Sequence, residues 1–206
     1  MEIKYRPLTL QDVDKVSMLS AEAFKEDPGW KYLVDSSKAN FFENLLFLMK
    51  LFLEFKLKHN EINLVAFAEE NGQEEIVAFT SVIKQAQKFS IAYQLSAGFW
   101  KIPFNLGLAT TNRLISSQGI VHELERKHLK EEYFRIEQLF VNPKYKGKGY
   151  GSCILKEVLR RYKEKNICLV TMNPKNVEFY KKNGLEFLGN STVYESINVH
   201  LMCLNS

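Results

Sequence analysis

Apolar residues recur along this chain with two different periods, and each change of period marks an element. Residues 2–6 read as a short strand. Thr9 stands where a helix cap is expected, and Val13, Val16, Leu19, Ala23 and Phe24 follow at helical spacing, which predicts a helix near 10–24. Asp27-Pro28-Gly29 reads as a turn, and a second helix is expected from about 38 to 58. Residues 62–68 and 76–83 are β-rich runs around Glu70-Asn71-Gly72-Gln73, whose Asn-Gly pair signals a hairpin. From about 89 to 128 the pattern is mixed and mostly helical, interrupted by Gly98, Pro103 and Gly107. Residues 133–141 form a strand. A helix over 150–164 carries Ile154, Leu155, Val158, Leu159 and Tyr162 on one stripe. Residues 167–172 are apolar throughout, as in a buried strand. Pro174 suits the first turn of a helix reaching Lys182, Gly184 suits its C-terminal cap, and Phe187 and 193–202 supply the final strands. Two strand–helix–strand turns after a hairpin give an α/β fold around a mixed sheet.

Composition narrows the class without naming a chemistry. A chain of 206 residues with 46% hydrophobic and 13% aromatic content buries a core and is expected to form a single domain. A net charge of +4 is too mild to indicate nucleic acid, and the lysines around 144–148 have no interleaved aromatics beyond Tyr145 and Tyr150. Cys153, Cys168 and Cys203 lack metal or disulfide spacing, so no metal is expected and a reduced, cytoplasmic setting fits. The start, Met-Glu-Ile-Lys-Tyr-Arg, does not read as a signal peptide. The most apolar stretch, 41–55, is broken by Glu43, Lys50 and Glu54, so no membrane span is expected.

The chemistry concentrates after the strand at 133–141. Asn142-Pro143 ends the apolar run, glycines stand at 147, 149 and 151, and a helix begins at once. Glycines let the backbone approach a ligand closely, and the first amides of a helix point unpaired into the turn, which makes an anion cradle. A nucleotide P-loop would need Gly-Lys followed by Ser or Thr, which is absent. A dinucleotide fingerprint would need a different glycine spacing, early in a βαβ unit.

Lys146-Gly147-Lys148-Gly149-Tyr150-Gly151 resembles the pyrophosphate loop of the GNAT acetyltransferases, with Lys146 in place of the usual Gln or Arg. A second segment, Asn173 to Phe187, resembles that family's Asn…Tyr-x-Lys-x-Gly-Phe stretch, with Asn173 seven residues before Tyr180 and Leu185 where Phe is usual. The two segments hold 21 of the 206 residues, within a span of 42. The resemblance implies a GNAT-like domain whose mixed central sheet has a splayed strand pair, 133–141 and 167–172, flanked by helices. The cofactor-binding core would span about 133–190. Helices at about 10–60, and others inserted at 89–128 before the central strand, would shape the acceptor pocket.

The resemblance also implies acetyl-CoA as acyl donor. Its pyrophosphate would sit on residues 147–152, that is Gly147, Lys148, Gly149, Tyr150, Gly151 and Ser152. Lys146 would lie alongside, with Lys144 either a phosphate contact or surface charge. Its pantetheine arm would pair with the strand edge at Leu139, Phe140 and Val141, and Asn173 would hold the arm, cap a helix, or both. An alkylamine is about 3.4 pKa units above neutrality, so freeing its lone pair costs roughly 4.6 kcal/mol, against about 2 kcal/mol to match a departing thiolate. Tyr180 is the candidate acid, with a packed aromatic as the alternative. Glu137 is the candidate base, directly or through water, with an ion pair to Arg135 as the alternative. His122, His128, Glu131 and Glu132 precede the strand and are further candidates or solvated surface.

The expected activity is N-acetyl transfer directly to an amine, favouring a small molecule because the segment at 84–132 can wall off a compact pocket. A protein or peptide acceptor, an idle acyl-CoA-binding sensor and, more remotely, a nucleic-acid module are the alternatives. Monomer and homodimer stay open.

Overall fold

The computed structural model describes residues 2–59, 62–70, 72–84, 98–129, 132–163, 165–195 and 197–204. In chain order these form β1 (Ile3–Pro7), α1 (Val13–Phe24), α2 (Pro28–Val34), α3 (Phe41–His59), β2 (Ile62–Glu70), β3 (Gln73–Lys84), α4 (Lys101–His128), β4 (Tyr133–Val141), α5 (Tyr150–Arg161), β5 (Asn166–Thr171), α6 (Pro174–Lys182), β6 (Glu186–Tyr194) and β7 (Ile197–Leu204). Asn71 of the expected hairpin, residues 89–97 of the mixed segment, residue 164 of the expected helix and the candidate Glu131 lie outside the described residues.

All seven strands belong to one mixed sheet of order β1-β2-β3-β4-β5-β7-β6. Only β4 and β5 run parallel, as the helical crossover through α5 requires. One face carries α1 and α3, which bury Val16, Leu53, Val65, Phe79 and Phe140. The opposite face carries α5 and α6, which bury Leu155, Val158, Ile167, Leu169 and Tyr180. Ile154, Leu155 and Val158 are completely buried. At about 1.5–3 kcal/mol per buried aliphatic side chain, this stripe holds the start of α5 against the sheet.

Several local expectations need correction. Asp27-Pro28-Gly29 is not a bare turn. Asp27 caps α2 by accepting from the amides of Gly29 at 3.0 Å and Trp30 at 3.3 Å, and Pro28 occupies the first helical position. The helix expected from 38 begins at Phe41. The final apolar run is two strands, because the chain turns at Glu195, which has a φ of 43°. Thr9 does cap, but the element it opens is a 3-10 turn, Leu10–Asp12, joined to α1. In the mixed segment, α4 is two helical stretches joined at Gly107, whose φ of 81° and ψ of 166° are not helical.

Gly29 fixes where α2 sits. A Cβ built there would lie 2.7 Å from Met172 Cβ and 2.8 Å from its sulfur, so only glycine lets α2 rest on the residue that follows β5. Gly29→Ala should therefore cost about 1–3 kcal/mol through overpacking. Thermal unfolding checks this, and an unchanged melting temperature would contradict the close packing.

Candidate active site

The register of β4 creates the site. On one side it pairs with β3 through Phe134–Val141. On the other its ladder with β5 stops at Ile136, opposite Leu169. Beyond that pair the strands part, and among the described residues no strand covers the β5-facing edge of Leu139, Phe140 and Val141. The β3 pairing skips a residue at the same point: Ser81 faces Gln138 and Val82 faces Ile136, leaving Glu137 as the extra residue of a bulge. A bulge bends its strand and re-aims side chains, which turns β4 away from β5 where the ladder ends. The phenyl ring of Phe140 is buried against Phe24 and Phe79, so Phe140 offers a ligand backbone alone.

At the end of the open edge, Asn142 ties β4 to β3. Its side-chain nitrogen donates to the Ile76 carbonyl at 2.8 Å, and its side-chain oxygen accepts from the Lys144 backbone amide at 3.1 Å. The chain then passes Gly147 and Gly149, with φ of 85° and 86°, and enters α5. A Cβ at either glycine would meet nothing within 4 Å, so the concave side is open and the left-handed backbone is what glycine supplies. Gly149 brings no side chain to cap α5, so the first-turn amides of Gly151 and Ser152 face outward as an anion cradle. Such a cradle fits a diphosphate.

Of the three lysines, Lys144 pairs with Glu75 at 3.6 Å and Lys148 with Glu70 at 2.9 Å. Lys146 is exposed, with no ion pair among the described residues. The first residue of α5, Tyr150, is buried and donates its hydroxyl to the same Glu70. Burial and that carboxylate push its phenol up to about 12, so it remains a donor at any working pH.

The second segment comes to the first through Gly151. A Cβ there would lie 3.2 Å from Val141 and 3.3 Å from the Phe179 ring, so the glycine admits Phe179 of α6 to the start of α5. Tyr180, the next residue, is buried. Desolvation, then the Asp27 carboxylate, raise its pKa above the ordinary phenol value. Asn173 caps α6 by accepting from the Lys175 amide at 3.1 Å, and its side chain also donates to Asp27. Asp27 is the residue that sequence reasoning missed. Burial raises its carboxyl pKa, against the lowering pull of hydrogen bonds from Trp30, Asn173 and Gly29. An Asp before Pro reads as an ordinary cap, and its meeting with Asn173 appears only in the fold, where α2 rests on Met172.

The remaining candidates are dispersed. Glu137 is paired with Arg135 at 2.9 Å, and Arg135 also holds the buried Glu125 of α4 at 2.9 Å. The ion pair foreseen as the alternative for Glu137 is thus present. His122 is exposed on α4, His128 packs against Gly189, and Glu132 pairs with Lys84 at 3.1 Å. Among the described residues no cluster of ligating side chains is arranged for a metal, and no helix is long and apolar enough to cross a membrane.

The sequence matches the family model described as "Acetyltransferase (GNAT) family" over residues 30–185. The chain belongs to the GNAT family. No curated protein sequence matches it. Among solved structures, this GNAT acyltransferase is similar to a protein of Corynebacterium glutamicum titled histone acetyltransferase HPA2 and related acetyltransferase, at 17% identity and TM-score 0.71 over 100% of this chain and 97% of that one. It is also similar to a putative arylalkylamine N-acetyltransferase 7 of the mosquito Aedes aegypti, at 15% identity and TM-score 0.65 over 98% and 86%. A structure titled as the NatC complex bound to Gag peptide and CoA aligns at 13% identity and TM-score 0.54 over 100% and 99%. At these identities the likeness is one of fold.

Glu70→Ala should remove the shared anchor of Tyr150 and Lys148. We expect acetyl-CoA binding to weaken severalfold while the fold persists, measured by calorimetry beside thermal unfolding. Unaltered affinity would show that the anchor does not shape the cradle.

Proposed function

We propose that this GNAT enzyme transfers an acetyl group from acetyl-CoA directly to the amine of a small molecule. One observation supports this reading above the rest: the parting of β4 from β5 leaves an open strand edge leading to the amide cradle, while Asp27, Asn173 and Tyr180 gather where the chain leaves β5 for α6. The pyrophosphate would rest on residues 147–152 with Lys146 beside it. The amides of the pantetheine arm would add to β4 along Leu139–Val141, and Asn173 would steady the far end.

Direct attack on a thioester needs the amine held close and deprotonated. Asp27 is the better-placed proton acceptor, because a carboxylate whose pKa is raised by burial is matched more closely to an amine than an ordinary one. Glu137, the base expected from the sequence, already accepts from Arg135 and is the second candidate. Tyr180, whose phenol stays protonated, donates to the departing sulfur. With pKa above that of a thiol, it acts first as a hydrogen-bond donor and passes its proton only as the sulfur takes charge.

A compact acceptor fits the surroundings. The β6–β7 hairpin continues past the last β5 pair, Thr171 with His200, to the pair Tyr194–Ile197. Its tip stacks Tyr194 on Tyr32 of α2, with ring centroids 5.0 Å apart and planes at 15°. Half-buried Trp30, Phe52 and Phe99 line the helices behind. The helices of about 10–60 and the segment before β4 would serve as the acceptor wall, and residues of about 133–190 as the cofactor core. A reduced, cytoplasmic location goes with the free cysteines.

Calorimetry with acetyl-CoA tests the donor, and no binding at millimolar concentration ends the reading. Tyr180→Phe should lower turnover by about a hundredfold with cofactor affinity retained. Asp27→Asn should do the same and flatten the rising limb of the pH–rate profile, whereas Glu137→Gln should leave that limb in place. The opposite pattern would transfer the base role to Glu137.

A further inference from the structure

Lys56 of α3 is the one buried lysine among the described residues, 6% exposed, and it lies directly beneath the bulge of β4. Its ammonium donates to the side-chain oxygen of Gln138 at 2.9 Å. The Gln138 amide donates in turn to Ser20 at 2.6 Å, and Ser20 contacts the Met49 sulfur at 3.0 Å. The charges facing the ammonium come from β4, namely Glu137 and Arg135, the latter bonded to Glu125 of α4. Polar side chains line up below it. Asn63, Ser81 and Gln138 are register neighbours across β2, β3 and β4, and the Asn63 side-chain oxygen and Ser81 hydroxyl are buried without a protein partner. A cation is costly to bury, and a hydrophobic residue in its place is often neutral or stabilising. Core packing therefore does not account for a lysine here. Its position does: Gln138 is the residue after the bulge, on the first stretch of β4 that has left β5.

Resting on the function proposed above, we infer that Lys56 is a positioning residue for acyl transfer. Through Gln138 it holds the bulged segment 137–139, and it sets a positive charge in the protein interior behind the strand on which the thioester lies. When the amine attacks, the carbonyl π pair moves onto oxygen and a carbon–nitrogen bond forms. The pair then returns as the carbon–sulfur bond breaks and sulfur keeps its electrons. The carbonyl oxygen carries negative charge between these events, and a fixed interior cation favours that state without reorganising.

The test compares the unaltered enzyme with Lys56→Met, reading acetyl-CoA affinity by calorimetry, the infrared band of isotope-labelled bound thioester carbonyl, and turnover. We expect affinity within about twofold, a carbonyl band at lower wavenumber in the unaltered enzyme, and turnover reduced by about tenfold, less than loss of a direct oxyanion contact gives. A second variant, Gln138→Glu, covers the case in which Lys56→Met does not fold. Because burial, countered by Glu137 and reinforced by Arg135, brings the lysine down to about 8, activity should fall as pH rises through that value. A facing carboxylate should move the fall to higher pH by about one unit or more. If the unaltered enzyme does not bind acetyl-CoA, the proposed function fails and takes this inference with it. Binding with an identical carbonyl band in the Lys56→Met enzyme, or an unmoved alkaline limb in Gln138→Glu, overturns the inference alone.

Discussion

A parallel strand pair that stops pairing halfway leaves backbone donors and acceptors that need a partner, and the architecture of this protein turns on that separation of β4 from β5. An open edge is ordinarily a liability, filled by another strand or screened from solvent. Here the ladder ends where an extra residue, Glu137, bulges the strand, and polar contacts hold the segment on either side. Lys56 and Gln138 fasten the bulge from the α3 face, and Arg135 locks the preceding turn of strand between Glu125 and Glu137. Asn142 fastens the far end to β3. A segment held at both ends, with one edge unpaired among the described residues, is complementary to an extended amide-bearing chain.

Close packing then brings the chemistry to that edge. Gly151 lets Phe179 touch the start of α5, so the anion cradle and α6 are neighbours. Gly29 lets α2 rest on Met172, so Asp27 reaches Asn173 and approaches Tyr180. Both glycines act by what they omit. A methyl group at either would push apart two elements whose contact assembles the site, although neither glycine bears a reactive atom. Among the described residues, buried Lys56 is held by Gln138 and buried Glu125 by Arg135, and the raised pKa values of Asp27 and Tyr180 come chiefly from desolvation.

The sequence made the cofactor half of this arrangement legible because it is local. The turn at 142–151 and the capped helix at 173–184 are each written in consecutive residues, where glycine, proline and asparagine have direct backbone meaning. The same holds for the amphipathic stripe of α5, whereas the parting of 133–141 from 167–172 came only through the family resemblance. The acceptor half was hidden because its contacts join distant residues. Asp27 meets Asn173 across nearly 150 positions, and nothing in Asp-Pro-Gly distinguishes a carboxylate at a site from one that merely caps a helix. Lys56 was not singled out, since its partner Gln138 lies 82 residues away and nothing local to 38–58 marks one lysine as buried. Glu137 was legible as a break in an apolar strand, and that break coincides with the bulge, where the side chain pairs with Arg135.

Backbone resonances offer the most direct check on whether the separated edge and the glycine turn act together as one binding surface. In an amide NMR titration with acetyl-CoA, the resonances of Leu139–Val141 and of 147–152 should move together, with a single shared affinity, while those of β1 and β2 stay in place. Movement confined to the turn, or centred away from both segments, would contradict the account.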